Sequence, residues 1–174
     1  MKRLWSPWRM RYILSENKWE GCIFCDKPAQ GRSHDRDNYI LYRGERAYLI
    51  LNLYPYNNGH IMVVPYQHVA SLEDLDAPTL TEMMLLLNRC LKALREAITP
   101  AGFNIGVNLG EAAGAGITEH VHIHIVPRWF GDTNFMPVVA DLRVIPELLQ
   151  STYDKLRQIL EADGSEPSQG TSAE

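Results

Sequence analysis

Glu119-His120-Val121-His122-Ile123-His124-Ile125-Val126-Pro127-Arg128-Trp129 is the stretch from which the rest of this chain is read. Three of the six histidines alternate here with branched apolar residues. Side chains of a β-strand point to opposite faces with a period of two. His120, His122 and His124 therefore share one face, and Val121, Ile123 and Ile125 share the other. The apolar face is expected to pack on a core. The imidazole face must look into a cleft, because buried histidines without partners are costly. A strand rises about 3.3 Å per residue, which puts the Cα atoms of His120 and His124 roughly 13 Å apart. A zinc ligand sits only about 2.0–2.1 Å from its metal. One ion cannot serve all three histidines, so the strand is expected to serve two neighbouring sites, with His122 between them.

The segments around this strand fit such a cleft. Gly110-Glu111-Ala112-Ala113-Gly114-Ala115-Gly116 is a loop of small residues leading into it. Small side chains let backbone N–H groups approach an anion closely. His60 opens a second apolar run, His60 to Pro65, directly after Gly59, at the kind of loop edge where sites tend to lie. Cys22-Ile23-Phe24-Cys25 has the spacing of half a tetrahedral zinc site. The other two ligands would come from among His34, His60, His68, His120, His122 and His124. Cys90 lies on an apolar helix face and reads as a small core residue. A neutral imidazole is nucleophilic near pH 7. No Gly-x-Ser-x-Gly elbow offers a serine instead, so His122 is the candidate nucleophile, with flanking histidines to stabilise charge on an attacked phosphate.

The pattern His-apolar-His-apolar-His-apolar-apolar resembles the defining motif of the histidine triad family of nucleotide hydrolases and transferases. The resemblance runs roughly from Leu4 to Leu149. Over Leu51 to Val64 and Asn104 to Trp129 it is similar to the bacterial members that cleave diadenosine tetraphosphate. It implies attack by His122 on the α-phosphate of a dinucleoside polyphosphate, giving a nucleotidyl-histidine released by water or phosphate. It implies that His124 and His60 contact phosphate oxygens and the leaving group. Asn108 and Gly116 would then lie at the phosphates, and Asn52 at the ribose hydroxyls. It also implies a structural zinc on Cys22, Cys25, His68 and His120, no organic cofactor, and a homodimer whose sheets join. Ala115 and Gly116 stand where phosphorylase-type members carry glycine and serine. The missing hydroxyl leaves the choice between phosphate and water as acceptor open. Two other readings stand beside this one. A metal-dependent hydrolase would use His122 and His124 as ligands, and a nucleotide-binding interaction protein would turn over little.

Composition sets the bounds. The chain has 174 residues, 45% of them hydrophobic, which is one domain with an ample core. Seventeen basic against 21 acidic residues give a charge of −4, against a general nucleic-acid coat. No apolar run nears the roughly 18 residues of a membrane span, and no secretory leader follows the basic start. Three cysteines without disulfide-type spacing fit a reduced, cytoplasmic protein.

The organisation expected is a basic, aromatic N-terminal arm over residues 1–20, a domain over 21–162, and a polar, disordered tail over 163–174. The arm's tryptophans suit packing on the domain or a partner better than stacking on nucleic acid. Runs at 39–43, 46–51, 60–65 and 103–109 read as strands in addition to the triad strand. Residues 26–37 read as loop. Asp76 and Pro78 open a helix that carries Leu80, Met83, Leu87, Leu91 and Leu94 on one face and stops before Pro100. Residues 146–162 read as a second helix. The fold class is α+β, an antiparallel sheet of about five strands with two main helices.

Overall fold

The computed structural model describes residues 21–132 and 147–163. The N-terminal arm, Pro146 and the polar tail beyond residue 163 lie outside the described residues. Five strands form one sheet: β1 (Ile40–Arg43), β2 (Ala47–Leu51), β3 (Ile61–Pro65), β4 (Gly102–Val107) and β5 (Ile123–Arg128). Every neighbouring pair is antiparallel. The spatial order is β1-β2-β3-β5-β4. Four α-helices accompany it among the described residues: α1 (Ile23–Ala29), α2 (Asp35–Asn38), α3 (Ala77–Ile98) and α4 (Leu149–Asp163). The α+β class, the five strands and the two long helices agree with the sequence reading.

The order of the sheet is what positions the site. Helix α3 carries the chain from β3 to the edge strand β4 and leaves one strand's width between them. β5 fills that gap, so Met62 and Gly106 both pair with His124. Helix α3 starts where its sequence says it should. The Asp76 carboxylate accepts from the Thr79 N–H at 2.9 Å, and Pro78 sits in the first turn.

Alternation along the strands divides the interior into two cores. Leu49, Leu51, Ile61, Val63, Ile123 and Ile125 face the helices and pack with Met83, Leu87, Cys90 and Leu94 of α3 and Leu156 and Leu160 of α4. Val121 joins that cluster. Tyr48, Ile50, Met62 and Val64 face the other way, where Phe24 of α1 packs on them. Cys90 is a buried free thiol in the helix-side core, as its place on the α3 face suggested.

The structure departs from the sequence reading at residues 26–37. The expected loop is largely helical: α1, a 3-10 turn at Arg32–His34, and α2. Phe24 explains the difference. It is 1% exposed, and its carbonyl accepts a 2.7 Å hydrogen bond from the Tyr48 hydroxyl. A seven-residue helix has little stability of its own. Tertiary burial of one aromatic side chain holds it, and the polar residues around Phe24 hide that from a periodicity reading.

Gly59 has φ +71°, and a Cβ there would lie 2.7 Å from the Ile98 side chain and 3.1 Å from Leu94. The left-handed backbone and the close approach to α3 both demand glycine. Gly59→Ala is expected to cost about 2 kcal/mol or more, by strain and overpacking together. Denaturant unfolding measures it, and a cost under about 0.5 kcal/mol would refute the constraint.

Candidate functional site

The three triad histidines do share one face, but the chain leaves the β-ladder at its N-terminal end. β5 begins at Ile123, and the Val121 N–H bonds the Val69 carbonyl at 2.8 Å instead of β3. His120 is thereby swung away from the sheet towards α1. It is fully buried, with its Nδ1 3.2 Å from Cys22 Sγ and 3.5 Å from Cys25 Sγ. The rings of His122 and His124 stay together, 4.7 Å apart in an edge-on arrangement.

Hydrogen bonding assigns each ring. The carbonyl of Pro65 lies 2.8 Å from His120 Nε2, and a carbonyl can only accept. His120 therefore donates from Nε2 and turns the Nδ1 lone pair to the cysteines. The carbonyl of His120 lies 2.9 Å from His122 Nδ1, so His122 donates from Nδ1 and keeps its lone pair on Nε2. The backbone N–H of Tyr56 donates to His60 Nδ1 at 3.1 Å. His60 therefore carries its proton on Nε2 and donates it to His124 Nδ1 at 3.0 Å. That leaves His124 with its N–H on Nε2. One neighbouring pair then offers a lone pair on His122 and a donor on His124.

Burial keeps these rings neutral. It lowers the pKa of His120 and of His122 below the usual 6.5, and their backbone carbonyls only partly offset the effect. Burial, aided by the neighbouring His122, takes His124 down to about 4.

His122 and His124 line a cleft together with Asn52, Asn108, Gly114 and Gly116. Five of the six cleft residues named from the sequence, His122, His124, Asn52, Asn108 and Gly116, thus come together. His60 is 0% exposed and stands behind His124, in contact with the cleft through that ring. Asn52 also braces its surroundings. Its Nδ2 donates to His60 Nδ1 at 3.3 Å, and its Oδ1 accepts from the Tyr54 N–H at 2.9 Å. Lys27, placed in a loop by its sequence context, lines the same cleft and is only 8% exposed. A lysine between Phe24 and Pro28 gives no warning of that; the helical spacing of Ile23, Phe24 and Lys27 is the one signal it leaves.

Cys22, Cys25, His68 and His120 form a second cluster, with ligand atoms all within 4.8 Å of one another. His68 Nδ1 is 3.3 Å from Cys25 Sγ. Two thiols and two imidazole nitrogens suit a tetrahedral metal site. The Pro65 carbonyl on His120 Nε2 is the outer-shell partner such a ligand requires. Burial, with Cys22 adjacent, pushes the Cys25 thiol up to about 11, and a bound cation would reverse that shift.

Residues 33–131 match the HIT domain family. The chain is 40% identical over 157 residues to AP-4-A phosphorylase of Mycobacterium tuberculosis, covering 87% of this chain and 80% of that one. It is 32% identical over 89 residues to the asymmetrical bis(5'-nucleosyl)-tetraphosphatase of Schizosaccharomyces pombe, covering 51% of this chain and 48% of that one. Its fold matches the crystal structure of a zinc-bound histidine triad family protein from Mycobacterium smegmatis. There the TM-score is 0.65 and the identity 29%, over 84% of this chain and 98% of that one.

The depressed pKa of His124 has a consequence for stability. The unfolded side chain takes up a proton near its ordinary 6.5 and the folded one near 4. Between those values the unfolded state binds more protons, so the contribution is complete above pH 6.5 and is lost as pH falls towards 4. His124→Asn is expected to flatten the fall in thermal midpoint across that window. Parallel pH profiles for the two proteins would overturn the assignment.

Proposed function

The chain belongs to the histidine triad (HIT) family, and from that premise we propose that it cleaves dinucleoside polyphosphates at the α-phosphate through a nucleotidyl-histidine on His122. One observation carries the assignment: the His122 Nδ1–H is held by the His120 carbonyl, which commits the Nε2 lone pair to the cleft. In the first step a bond forms from Nε2 to the α-phosphorus, and the bond from phosphorus to the bridging oxygen breaks. The electron pair leaves with the nucleoside polyphosphate. The developing charge on His122 is shared with the His120 carbonyl through Nδ1–H. The His124 Nε2–H, set by His60, donates to a phosphoryl or leaving oxygen. In the second step water or inorganic phosphate attacks the same phosphorus and His122 departs.

Asn108 and Gly116 are assigned to the phosphates and Asn52 to the ribose, in keeping with their place in the cleft. The relatives named as a phosphorylase and as a tetraphosphatase support either acceptor. The hydrolase reading with a metal on His122 and His124 is disfavoured, because the His124 Nδ1 lone pair already accepts from His60.

Zinc on Cys22, Cys25, His68 and His120 belongs to the same proposal, supported by the donor set and by the zinc-bound relative. Four protein ligands leave no open position, so the role is structural. The site would tie α1 to the segment that carries His122. A homodimer joined along β4 is proposed as well. β4 is an edge strand of the sheet, and Ile105 on it and Leu109 just beyond are exposed. Among the described residues no helix is long and apolar enough to cross a membrane. All three cysteines are free thiols, which suits a cytoplasmic setting.

Intact-protein mass spectrometry after mixing with diadenosine tetraphosphate tests the mechanism, with and without phosphate. The wild type is expected to gain one adenylyl group and His122→Ala none. His124→Ala and His60→Ala are expected to form the adduct about 10²–10⁴-fold more slowly. An adduct of normal yield on His122→Ala removes the nucleophile. Release that quickens with added phosphate identifies phosphorolysis; release unchanged by phosphate identifies hydrolysis.

Metal analysis of protein purified without chelator is expected to find about one zinc per chain. Cys22→Ser and His68→Ala are expected to lower the thermal midpoint by about 5 °C or more while changing the adduct rate less. Zinc-free protein of full stability, or a Cys22–Cys25 disulfide, refutes the site.

A further inference from the structure

The cleft extends well past the histidines, and its far end holds a lysine that the proposed chemistry does not use. Strand pairing lays His124, Met62, Ile50 and Ile40 in one row across the sheet. Met62 and Ile50 face the cleft side and line it. Strands are about 4.8 Å apart, so Ile50 lies roughly 10 Å from His124. Helix α1 runs along this row. Phe24 packs 4.8 Å from the His122 ring. Lys27 stands about one turn further along, on the flank it shares with Ile23. Its Nζ has one contact among the described residues, a long 3.5 Å bond to the Asn38 carbonyl. Asn38 comes just before β1, so the ammonium sits at the Ile50 end of the cleft, away from the phosphate chemistry. It is 8% exposed, and two of its three donors lack a partner at hydrogen-bond distance among the described residues.

A nucleotide seated with its α-phosphate at His122 and its ribose at Asn52 sends its base along this row. The apolar side chains of Ile23, Phe24 and Ile50 suit a purine face, and Lys27 meets its edge. An ammonium donates and never accepts. Guanine presents two adjacent acceptors, O6 and N7, whereas adenine sets a donor, N6, beside its N7 acceptor. Resting on the function proposed above, we propose that Lys27 is a base-selecting residue that favours guanine over adenine in the nucleoside that becomes attached to His122. The bond made and broken is unchanged; Lys27 decides which half of an unsymmetrical substrate enters the cleft.

Adenosine–guanosine tetraphosphate supplies both bases within one molecule and so compares them directly. The wild type is mixed with it, quenched rapidly in alkali, and weighed intact. The guanylyl adduct is expected to exceed the adenylyl adduct by about tenfold, the scale of a two-acceptor lysine contact. Lys27→Met is expected to bring the ratio near unity. Lys27→Gln is expected to invert it, because an amide both donates to and accepts from the N6/N7 edge of adenine. Equilibrium binding of GMP and AMP to the same three proteins should give the same order. An adduct ratio that is the same in all three proteins overturns the proposal. So does an equal loss of GMP and AMP binding in both variants, which would put Lys27 on the phosphates or in the fold. If no protein forms any adduct, the nucleotidyl-histidine fails, and the GMP-to-AMP binding ratios then decide the role of Lys27 separately.

Discussion

A neutral imidazole has one N–H and one lone pair, so fixing either nitrogen commits the other. The whole site depends on that rule. The carbonyl of Pro65 commits His120 to face the cysteines with its lone pair, and the carbonyl of His120 does the same for His122 towards the cleft. The Tyr56 N–H works in the opposite sense and, through His60, leaves His124 a donor. Backbone groups fix His120 and His122 directly and His124 through the His60 ring, and backbone is positioned by the sheet and its loops. Neutrality is the condition for this arrangement, and burial supplies it by making protonation of the rings unfavourable.

The sheet order meets that condition. Had β5 been the edge strand, its histidine face would be open to water on one flank. With β3 on one side and β4 on the other, His124 is flanked by Met62 and Gly106. Helix α1 then lies over the open face, with Phe24 against both His120 and His122. The Cys22–Cys25 pair flanks the same helical turn that carries Phe24. The metal-type cluster and the wall of the cleft are therefore built on one turn of one short element. A helix this short has no independent stability, so whatever holds its cysteines also holds Phe24 and Lys27 in place.

Gly106, paired with His124 on the outer side, bears no side chain that could crowd that ring, and Gly114 and Gly116 line the cleft near it. The small residues of this loop combine with the polar groups Asn52 and Asn108. At the other end of the cleft the lining is Ile23, Ile50 and the Lys27 side chain. The cleft is thus polar at the histidines and, apart from the Lys27 ammonium, apolar beyond them, a gradient that suits the nucleotide proposed for it.

Much of this was legible in residue order, because the forces concerned are local. Period-two alternation separates Val121, Ile123 and Ile125 from the three histidines whatever the strand pairs with, and Asp76 caps α3 from a distance of three residues. The Cys-x-x-Cys spacing likewise marked one half of the metal-type cluster. The rest depended on contacts between residues far apart in the chain. Nothing near His60 says that it would be buried behind His124, since that follows from β3 and β5 becoming neighbours with Met62 opposite His124. Nothing near Lys27 says that it would enter the cleft, since α1 is held only where Phe24 packs beside Tyr48 and takes its hydroxyl proton on the backbone carbonyl. Residue order determined which side chains share a face and which types of chemistry they carry. Tertiary structure decided which nitrogen of His120 and of His124 is free, because the Pro65 carbonyl and the His60 ring that fix them come from β3 and its start, far away in the chain.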